Sequence, residues 1–499
     1  MINLADEIQI GLSAPKTGGP SQRPVVWEWM DVRTSFGFRR AVSAGAALAV
    51  GLSLVGAAQS AEPQKARNVI LFVGDGMGVS TLTAARIYQG QLRGVDGASN
   101  RLTFERFPNL ALVKTYSADS LVTDSANGAS AMMTGVRTIN GALGVDATVN
   151  RQSCASAIAG RVDTLAELVK QRGMSTGAVS TAAITDATPA ALYAHTSARS
   201  WQGDFAMPKE AAAEGCVDIA RQLVDAPEAM RLDVALGGGA TFFTPAKRLD
   251  GRDLTREWAR RPNAAFVDTA EGLSKLPKGT RHLLGLFAGE SMARESSRPV
   301  QAPRLTDMTK AAISLLSQNP KGYFLMVEGG LIDKAHHAGL VRDALNETVE
   351  FDAAIDQALA MTDRADTLIL VTADHSHGLT INGGHRDSPI LGLVTDAQGK
   401  PRLAGDGKAY GILNYQTGPG GPKAGESRVD PTTVNTLAPG YRAPAGIQMN
   451  SAAHTGEDVA AYAQGPGADR LGGLIDQTDI FEVMREALGI RAPKRAAKP

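Results

Sequence analysis

Three apolar runs in this sequence each end in an acid, and that repetition is the first sign of chemistry. Asn68-Val-Ile-Leu-Phe-Val-Gly-Asp75 leads into Gly76-Met77-Gly78, and Tyr323-Phe-Leu-Met-Val-Glu328 leads into Gly329-Gly330. Thr367-Leu-Ile-Leu-Val-Thr-Ala-Asp374 leads into His375. Unbroken aliphatic and β-branched runs of this kind read as strands covered on both faces. One Asp-Gly after a strand is ordinarily a turn, but three buried strands that each deliver an acid make a metal site. Asp333 and His337 add a carboxylate and an imidazole at i,i+4, on one face of a helical turn; the competing reading is a solvated helix start. His454 lies in a loop of small residues, Ser451-Ala-Ala-His454-Thr-Gly. Mixed imidazole and carboxylate donors suit zinc, whereas all-oxygen sets suit magnesium. Because no cysteine lies near these donors, the ions are read as catalytic rather than structural.

A candidate anion-binding position sits elsewhere. Val122-Thr-Asp-Ser125 is followed by the small residues Ala126 to Gly135, which suit a tightly packed helix with Ser125 at its N-terminal end. Free N–H groups and the helix dipole there favour an anion, while the plain alternative is that Ser125 only caps the helix.

Positioning these residues takes alternating strands and helices. After the Asp75 strand, Met77 to Gln91 reads as the next segment, and the alternation in Leu110 to Tyr116 predicts a strand. Asp163 to Arg172 reads as an amphipathic helix with Leu165, Leu168 and Val169 on one face and Gly173 as its stop. Ser175 opens a strand that leads to Asp186-Ala-Thr188-Pro189, where Pro189 can start a helix running toward His195 and Arg199. Leu232 to Gly239 is another strand entering a glycine turn. Strand and helix in alternation, with glycine at the strand exits, predict an α/β fold: a doubly wound, mostly parallel central sheet with helices on both faces. From about Gly383 to Met449 the chain is rich in Gly, Pro, Asp and Lys, and it reads as an irregular insertion; disorder is the competing reading, but a long structureless loop inside a compact domain is uncommon unless it serves a function.

The 499 residues are 43% hydrophobic and 20% charged, enough for a large core. Lys plus Arg and Asp plus Glu number 51 each, so nothing global points to nucleic acid or an anionic membrane surface. Arg33, Arg39 and Arg40 precede the apolar run Ala41 to Ala57, and Ala58-Gln-Ser60 offers small residues for cleavage, the pattern of a secretory signal. The arginine pair matches a twin-arginine signal poorly, so the general export route is preferred. A signal starts at its basic region, which makes Met30 the better start and residues 1–29 an upstream extension. Residues 1–60 are therefore read as extension plus signal, 61–490 as the catalytic domain, and 491–499 as a basic tail. No later apolar segment is long enough for a membrane anchor. In an oxidising compartment Cys154 and Cys216 are either a disulfide or two separate buried thiols.

The stretches around Asp75, Ser125, Asp186-Ala-Thr188-Pro-Ala-Ala, Val327-Glu-Gly-Gly-Leu-Ile-Asp333, Val371-Thr-Ala-Asp374-His375-Ser-His and His454-Thr-Gly closely resemble those of the alkaline phosphatase family. The likeness runs in register from Asn68 to Ile490. It implies an alkaline-phosphatase-like fold and hydrolysis of small phosphate monoesters to inorganic phosphate, through a phosphoserine at Ser125. It also implies two zinc ions (Zn2+), one on Asp333, His337 and His454 and one on Asp75, Asp374 and His375. A magnesium ion (Mg2+) would lie near Asp75, Thr188 and Glu328, with Asp186 as its neighbour. Arg199 matches the arginine that holds two phosphate oxygens, and Lys334 matches a lysine that reaches phosphate through water. The resemblance further implies a periplasmic or secreted homodimer. Cys154, Glu214-Gly-Cys216 and His282 to Phe287 resemble the animal branch, in which the matching cysteines are paired. Asp186 and Lys334 resemble the enteric-bacterial branch, where animals have histidines, and this favours magnesium. Ala288 stands where the animal branch has a calcium-binding Glu, so the likeness does not extend to that site. A sulfatase would need a cysteine or serine signature with Pro and Arg that Asp124-Ser125-Ala-Asn-Gly lacks. An inactive relative would have lost a ligand or the nucleophile, and none is missing.

Overall fold

The computed structural model describes residues 65–491. The extension and signal read in residues 1–60 and the tail beyond Arg491 lie outside the described residues. Among the described residues thirteen strands form two sheets: β1 Asn68–Val73, β2 Asn109–Lys114, β3 Ser175–Ala183, β4 Val234–Gly238, β5 Ala264–Val267, β6 His282–Leu286, β7 Tyr323–Glu328, β8 Thr367–Thr372, β9 Leu379–Ile381, β10 Leu413–Gly418, β11 Ala445–Gln448, β12 Val459–Gln464 and β13 Gly473–Asp476. Ten of them make the main sheet, in the order β13-β2-β12-β8-β1-β7-β3-β4-β6-β5. Its pairs are parallel except where β12 runs against β2 and β8, so the doubly wound, mostly parallel reading agrees with the structure.

The centre of that sheet is built as its composition requires. Every residue of β1, β7 and β8 is buried, because helices cover both faces and no position can be polar at low cost. Helix Val341–Met361 crosses β1, and its Phe351 ring meets Phe72 edge to face at 5.8 Å. Burial of one such ring contributes roughly 1.5–3 kcal/mol. Register then fixes the chemistry: Val73 pairs with Glu328 on one side and Thr372 on the other. The turn at Asp75, the end of β7 and the Asp374-His375 turn therefore open on one edge of the sheet, where ligands of open α/β sheets bind.

One element differs from the expected pattern. The helix after Asp186 spans only Ala187–Ala190, with Asp186 as its N-cap, and does not run on to Arg199. The chain leaves the helix because Thr196 exchanges both backbone hydrogen bonds with Leu143, each 2.9 Å. The Asp163–Arg172 segment, in contrast, forms helix Leu165–Gln171, closed by a Thr164–Glu167 capping box. The insertion at 383–449 is more regular than its composition implies. It carries β10 and β11, which join β9 in a three-stranded sheet, with Leu413 and Tyr415 alternating inward. Its Gly- and Pro-rich stretches are the turns between. In β2 the alternation is inverted, since Ala111 and Val113 are buried while Leu110 and Leu112 are exposed. Among the described residues no helix is long and apolar enough to cross a membrane.

Candidate metal centre

The acids and imidazoles from the strand ends converge. Asp333 and His337 project from helix Gly330–His337, which starts directly after β7, while His454 comes from the loop before β12. His337 Nδ1 donates to the Ala452 carbonyl at 2.7 Å, and His454 Nδ1 donates to the Thr123 carbonyl at 3.1 Å. A carbonyl can only accept, so each bond fixes the tautomer and leaves a lone pair on the other ring nitrogen. Those two Nε2 atoms face each other at 3.1 Å, with Asp333 Oδ1 at 3.3 and 3.5 Å. Two opposed lone pairs beside a carboxylate fit a shared cation.

A second cluster adjoins it. His375 Nε2 is 3.4 Å from Asp75 Oδ1, 3.4 Å from Asp374 Oδ2 and 3.2 Å from the Ser125 hydroxyl. Asp374 Oδ1 accepts from the Gly76 and His375 backbone N–H groups at 3.0 Å each. Its Oδ2 is buried and, among the described residues, has no hydrogen-bond partner. Such an oxygen is expensive to bury unless something positive meets it. Thr188 Oγ1 is a further buried orphan, on the short helix that Asp186 caps. Glu328 accepts from the Ser180 hydroxyl of the neighbouring β3. Carboxylates, imidazoles and a buried hydroxyl are the donor set of mixed zinc and magnesium sites.

Electrostatics give the same picture. Burial, and then the charges of Asp374, Asp333 and Glu328, push the Asp75 carboxyl well above the usual range. Burial and Asp333 raise Asp374 to about 6. Burial, opposed by the Ser180 hydrogen bond and helped by Asp186, raises Glu328 to about 7. Burial pushes the His375 imidazole well below its ordinary value, so it is neutral and free to ligate. Too many acids share too little solvent, and a divalent ion is the natural remedy.

Ser125 is the first residue of helix Ser125–Thr134, and its hydroxyl is 3.4 Å from Asp75 Oδ1. The cap is Asp124, whose side chain accepts from Asn127 N at 3.1 Å, so the Ser125 hydroxyl is not used as the N-cap. Arg199 reaches the same region from its irregular segment, with Nη2 2.9 Å from Asp186 Oδ1 and Nη1 3.3 Å from Asp124 Oδ2. Lys334 Nζ donates to Asp186 Oδ2 at 2.8 Å. Burial works against ionisation of Asp186, but the Lys334 and Arg199 charges win and hold its carboxyl well below the usual range. Cys154 and Cys216 form a disulfide.

His377 belongs to the site as well, although sequence reasoning gave it no role. Its Nε2 lies 2.5 Å from Asp333 Oδ1 and within reach of a shared ion with His337 and His454. The signal was present in the spacing: in Asp374-His375-Ser376-His377 the two imidazoles are two residues apart on an extended turn. Asp124 was likewise passed over, as the partner of Arg199.

Comparisons with known proteins agree with this geometry. A family model described as alkaline phosphatase matches residues 66–490. The tissue-nonspecific alkaline phosphatase isozyme of Homo sapiens is 40% identical over 450 residues, covering 86% of this chain and 84% of that protein. The Thermus thermophilus alkaline phosphatase structure is 24% identical with a TM-score of 0.62, covering 89% of this chain and 96% of that one. A histidine-to-aspartate mutant of the alkaline phosphatase from the Antarctic bacterium TAB5, with magnesium in its M3 site, is 25% identical with a TM-score of 0.60, covering 86% of this chain and 100% of that one.

Proposed function

This chain belongs to the alkaline phosphatase family of metal-dependent phosphomonoesterases, and we propose that it works through a phosphoserine at Ser125 with two zinc ions and one magnesium ion. Asp333, His337 and His454 would hold one zinc; Asp75, Asp374 and His375 would hold the other. Asp75, Thr188 and Glu328 would hold magnesium, with Asp186 beside them. When bound, the ions supply positive charge that offsets the phosphate dianion and favours deprotonated oxygen nucleophiles. The facing Nε2 atoms of His337 and His454 carry the reading, because the carbonyls that take each Nδ1–H leave both lone pairs aimed at one position beside Asp333.

The protein's own groups then have separable tasks. Arg199 presents a two-nitrogen fork to two phosphate oxygens. Ser125, at a helix N-terminus that favours anions, attacks phosphorus in line; its Oγ–P bond forms as the bond to the ester oxygen breaks, and the alcohol departs. Water then cleaves the phosphoserine, releasing inorganic phosphate, with retention at phosphorus after two displacements. Lys334, anchored on Asp186, reaches the phosphate through water. The oxygen donors at Thr188 and Glu328 favour magnesium at the third position, as does the magnesium in the M3 site of the TAB5 mutant.

Residues 61–490 form the catalytic domain, exported to the periplasm or the medium by the signal within residues 1–60. The Cys154–Cys216 disulfide supports an oxidising compartment. A homodimer is favoured by the exposed leucines Leu110, Leu112 and Leu474, of which the last two are register partners on adjacent strands. Small phosphate esters are the substrates, and the balanced charge favours neither nucleic acid nor an anionic membrane as partner. Hydrolysis of a chromogenic phosphate ester, lost with a chelator and restored by zinc and magnesium, tests the metal reading. Capture of phosphate on Ser125 in acid-quenched enzyme tests the nucleophile; a labelled peptide lacking Ser125 would remove it from that role.

A further inference from the structure

Strand β10 lies in the insertion, outside the site just described, yet it contacts the residue preceding each member of the His337–His454 pair. Tyr415 and Thr417 are two residues apart on this strand and therefore project from one side. The Tyr415 hydroxyl is 2.7 Å from His336 Nδ1, and His336 Nε2 is 3.1 Å from the Thr81 hydroxyl. His336 is fully buried, so this pair of hydroxyls fixes the ring and with it the rotation of the helix that carries Asp333 and His337. The same ring stacks beside His377 at 5.4 Å between centroids, and His377 holds Asp333 Oδ1. Two residues along, the Thr417 hydroxyl accepts from Ala453 N at 2.9 Å, the residue before His454. Between them Gln416 N donates to the Gly378 carbonyl at 3.0 Å, next to His377. The loop is closed by Ala452 N, which donates to the His337 carbonyl at 2.9 Å.

One strand thus sets the spacing between two imidazoles that arrive from segments 117 residues apart in the chain. We propose that Tyr415 and Thr417 are positioning residues, and that the insertion acts as a retention element for the ion held by Asp333, His337 and His454. The inference rests on the metal reading given under Proposed function. Neither hydroxyl touches a ligand atom of that trio directly. Each acts through one intermediary, His336 or the Ala453 amide. Loss of groups that orient metal ligands typically costs 10–100-fold in metal affinity.

The test follows zinc itself. Zinc-loaded wild type, Tyr415→Phe, Thr417→Val, the double variant and Thr417→Ser are mixed with a chromophoric chelator, and release of each zinc is timed. Tyr415→Phe removes a hydroxyl and Thr417→Val exchanges one for a methyl of similar size, so both keep the packing volume nearly constant. Melting of the zinc-stripped proteins is recorded alongside. The expected result is that each deletion speeds release of one zinc about tenfold, with the other zinc unchanged, and that Thr417→Ser restores the slow phase. The stripped proteins should melt together. Release at the wild-type rate, or equal acceleration of both ions with a lowered melting point of the stripped protein, would overturn the inference while leaving the metal reading in place. Wild-type enzyme that carries no zinc would overturn both.

Discussion

Arg199→Ala separates phosphate binding from turnover, and its size can be worked from the contacts of the guanidinium. Arg199 makes a 2.9 Å bond to Asp186 and a longer 3.3 Å bond to Asp124, and about 30% of its side chain is exposed. A bound phosphate would take both terminal nitrogens, and two charge-assisted bonds of ~1.5–3 kcal/mol each give a gross gain of ~3–6 kcal/mol. Binding also gives up at least the long Asp124 contact and the water on the exposed edge, which offsets about half of that. The net loss on truncation is then ~1.5–3 kcal/mol, or roughly 10- to 150-fold in affinity. The assay is competitive inhibition by inorganic phosphate at fixed pH and ionic strength, with kcat measured in the same series. Ki should rise by that factor while turnover remains measurable, because most of the charge compensation lies with the metal ligands' ions. Arg199→Lys should fall between, since an ammonium keeps the charge but loses the fork. A Ki within twofold of wild type for the alanine variant would remove Arg199 from the phosphate site.

Four further outcomes follow from the same geometry. Ser125→Ala should abolish transfer of phosphate to an added amino alcohol while leaving bound zinc unchanged, since Asp75, Asp374 and His375 remain in place; metal analysis and product chromatography check both halves. Replacing Cys154 and Cys216 together by serine opens a loop of 62 residues' separation, worth about 4 kcal/mol in the chain-entropy model, and denaturant unfolding of the two proteins measures the loss. Asp186→His should lower magnesium occupancy at the third site by replacing oxygen donors with an imidazole, read by metal analysis of dialysed protein. Asp186 also makes a pH-dependent contribution. Its folded carboxyl is held below the usual range by Lys334 and Arg199 against burial, so the unfolded chain binds its proton first as pH falls. The stabilisation is therefore complete at neutral pH and is lost on acidification below the ordinary carboxylate range. The unfolding gap between metal-stripped wild type and Asp186→Asn should shrink between pH 7 and pH 3, and a constant gap would contradict this.

How much was legible in the sequence depended on whether the signal was local. The strands ending at Asp75, Glu328 and Asp374 were readable because parallel burial forces continuous apolar runs, and the acid after each run is conspicuous. The Asp333–His337 pair was readable from helical spacing. Arg199 was readable only through resemblance, because its approach depends on Thr196 pairing with Leu143, a contact across 53 residues that no propensity encodes. Within the insertion the two strands were hidden for a related reason. The Gly and Pro content is real, but it belongs to turns, and the strands between them are short enough that composition hides their alternation. Helix caps divided the same way. Thr164 with Glu167 is a visible capping box, whereas Asp124 and Ser125 are adjacent, and only the structure shows that Asp124 caps while the Ser125 hydroxyl turns to Asp75 and His375.

The strand-end acids also explain why the site is surrounded by so many fixed bonds. Burial first, and then the charges of neighbouring acids, raise the carboxyls of Asp75, Asp374 and Glu328, so their ionised forms are unfavourable in this dry environment. A flexible frame would relieve this by letting the side chains swing apart toward water. Here they cannot, because β1, β7 and β8 are hydrogen-bonded in register up to the residues just before the acids, and the Gly76 amide and Ser180 hydroxyl pin the carboxylates beyond. The histidines are restrained in the same manner, with carbonyls dictating which nitrogen faces inward. The stability of the large sheet therefore maintains a cluster that is unfavourable by itself, and the cluster gains most when cations enter it. Burial that would be wasteful in a structural acid is what keeps these donors dehydrated and aimed, so the same strands that make the core also fix the geometry of the candidate metal centre.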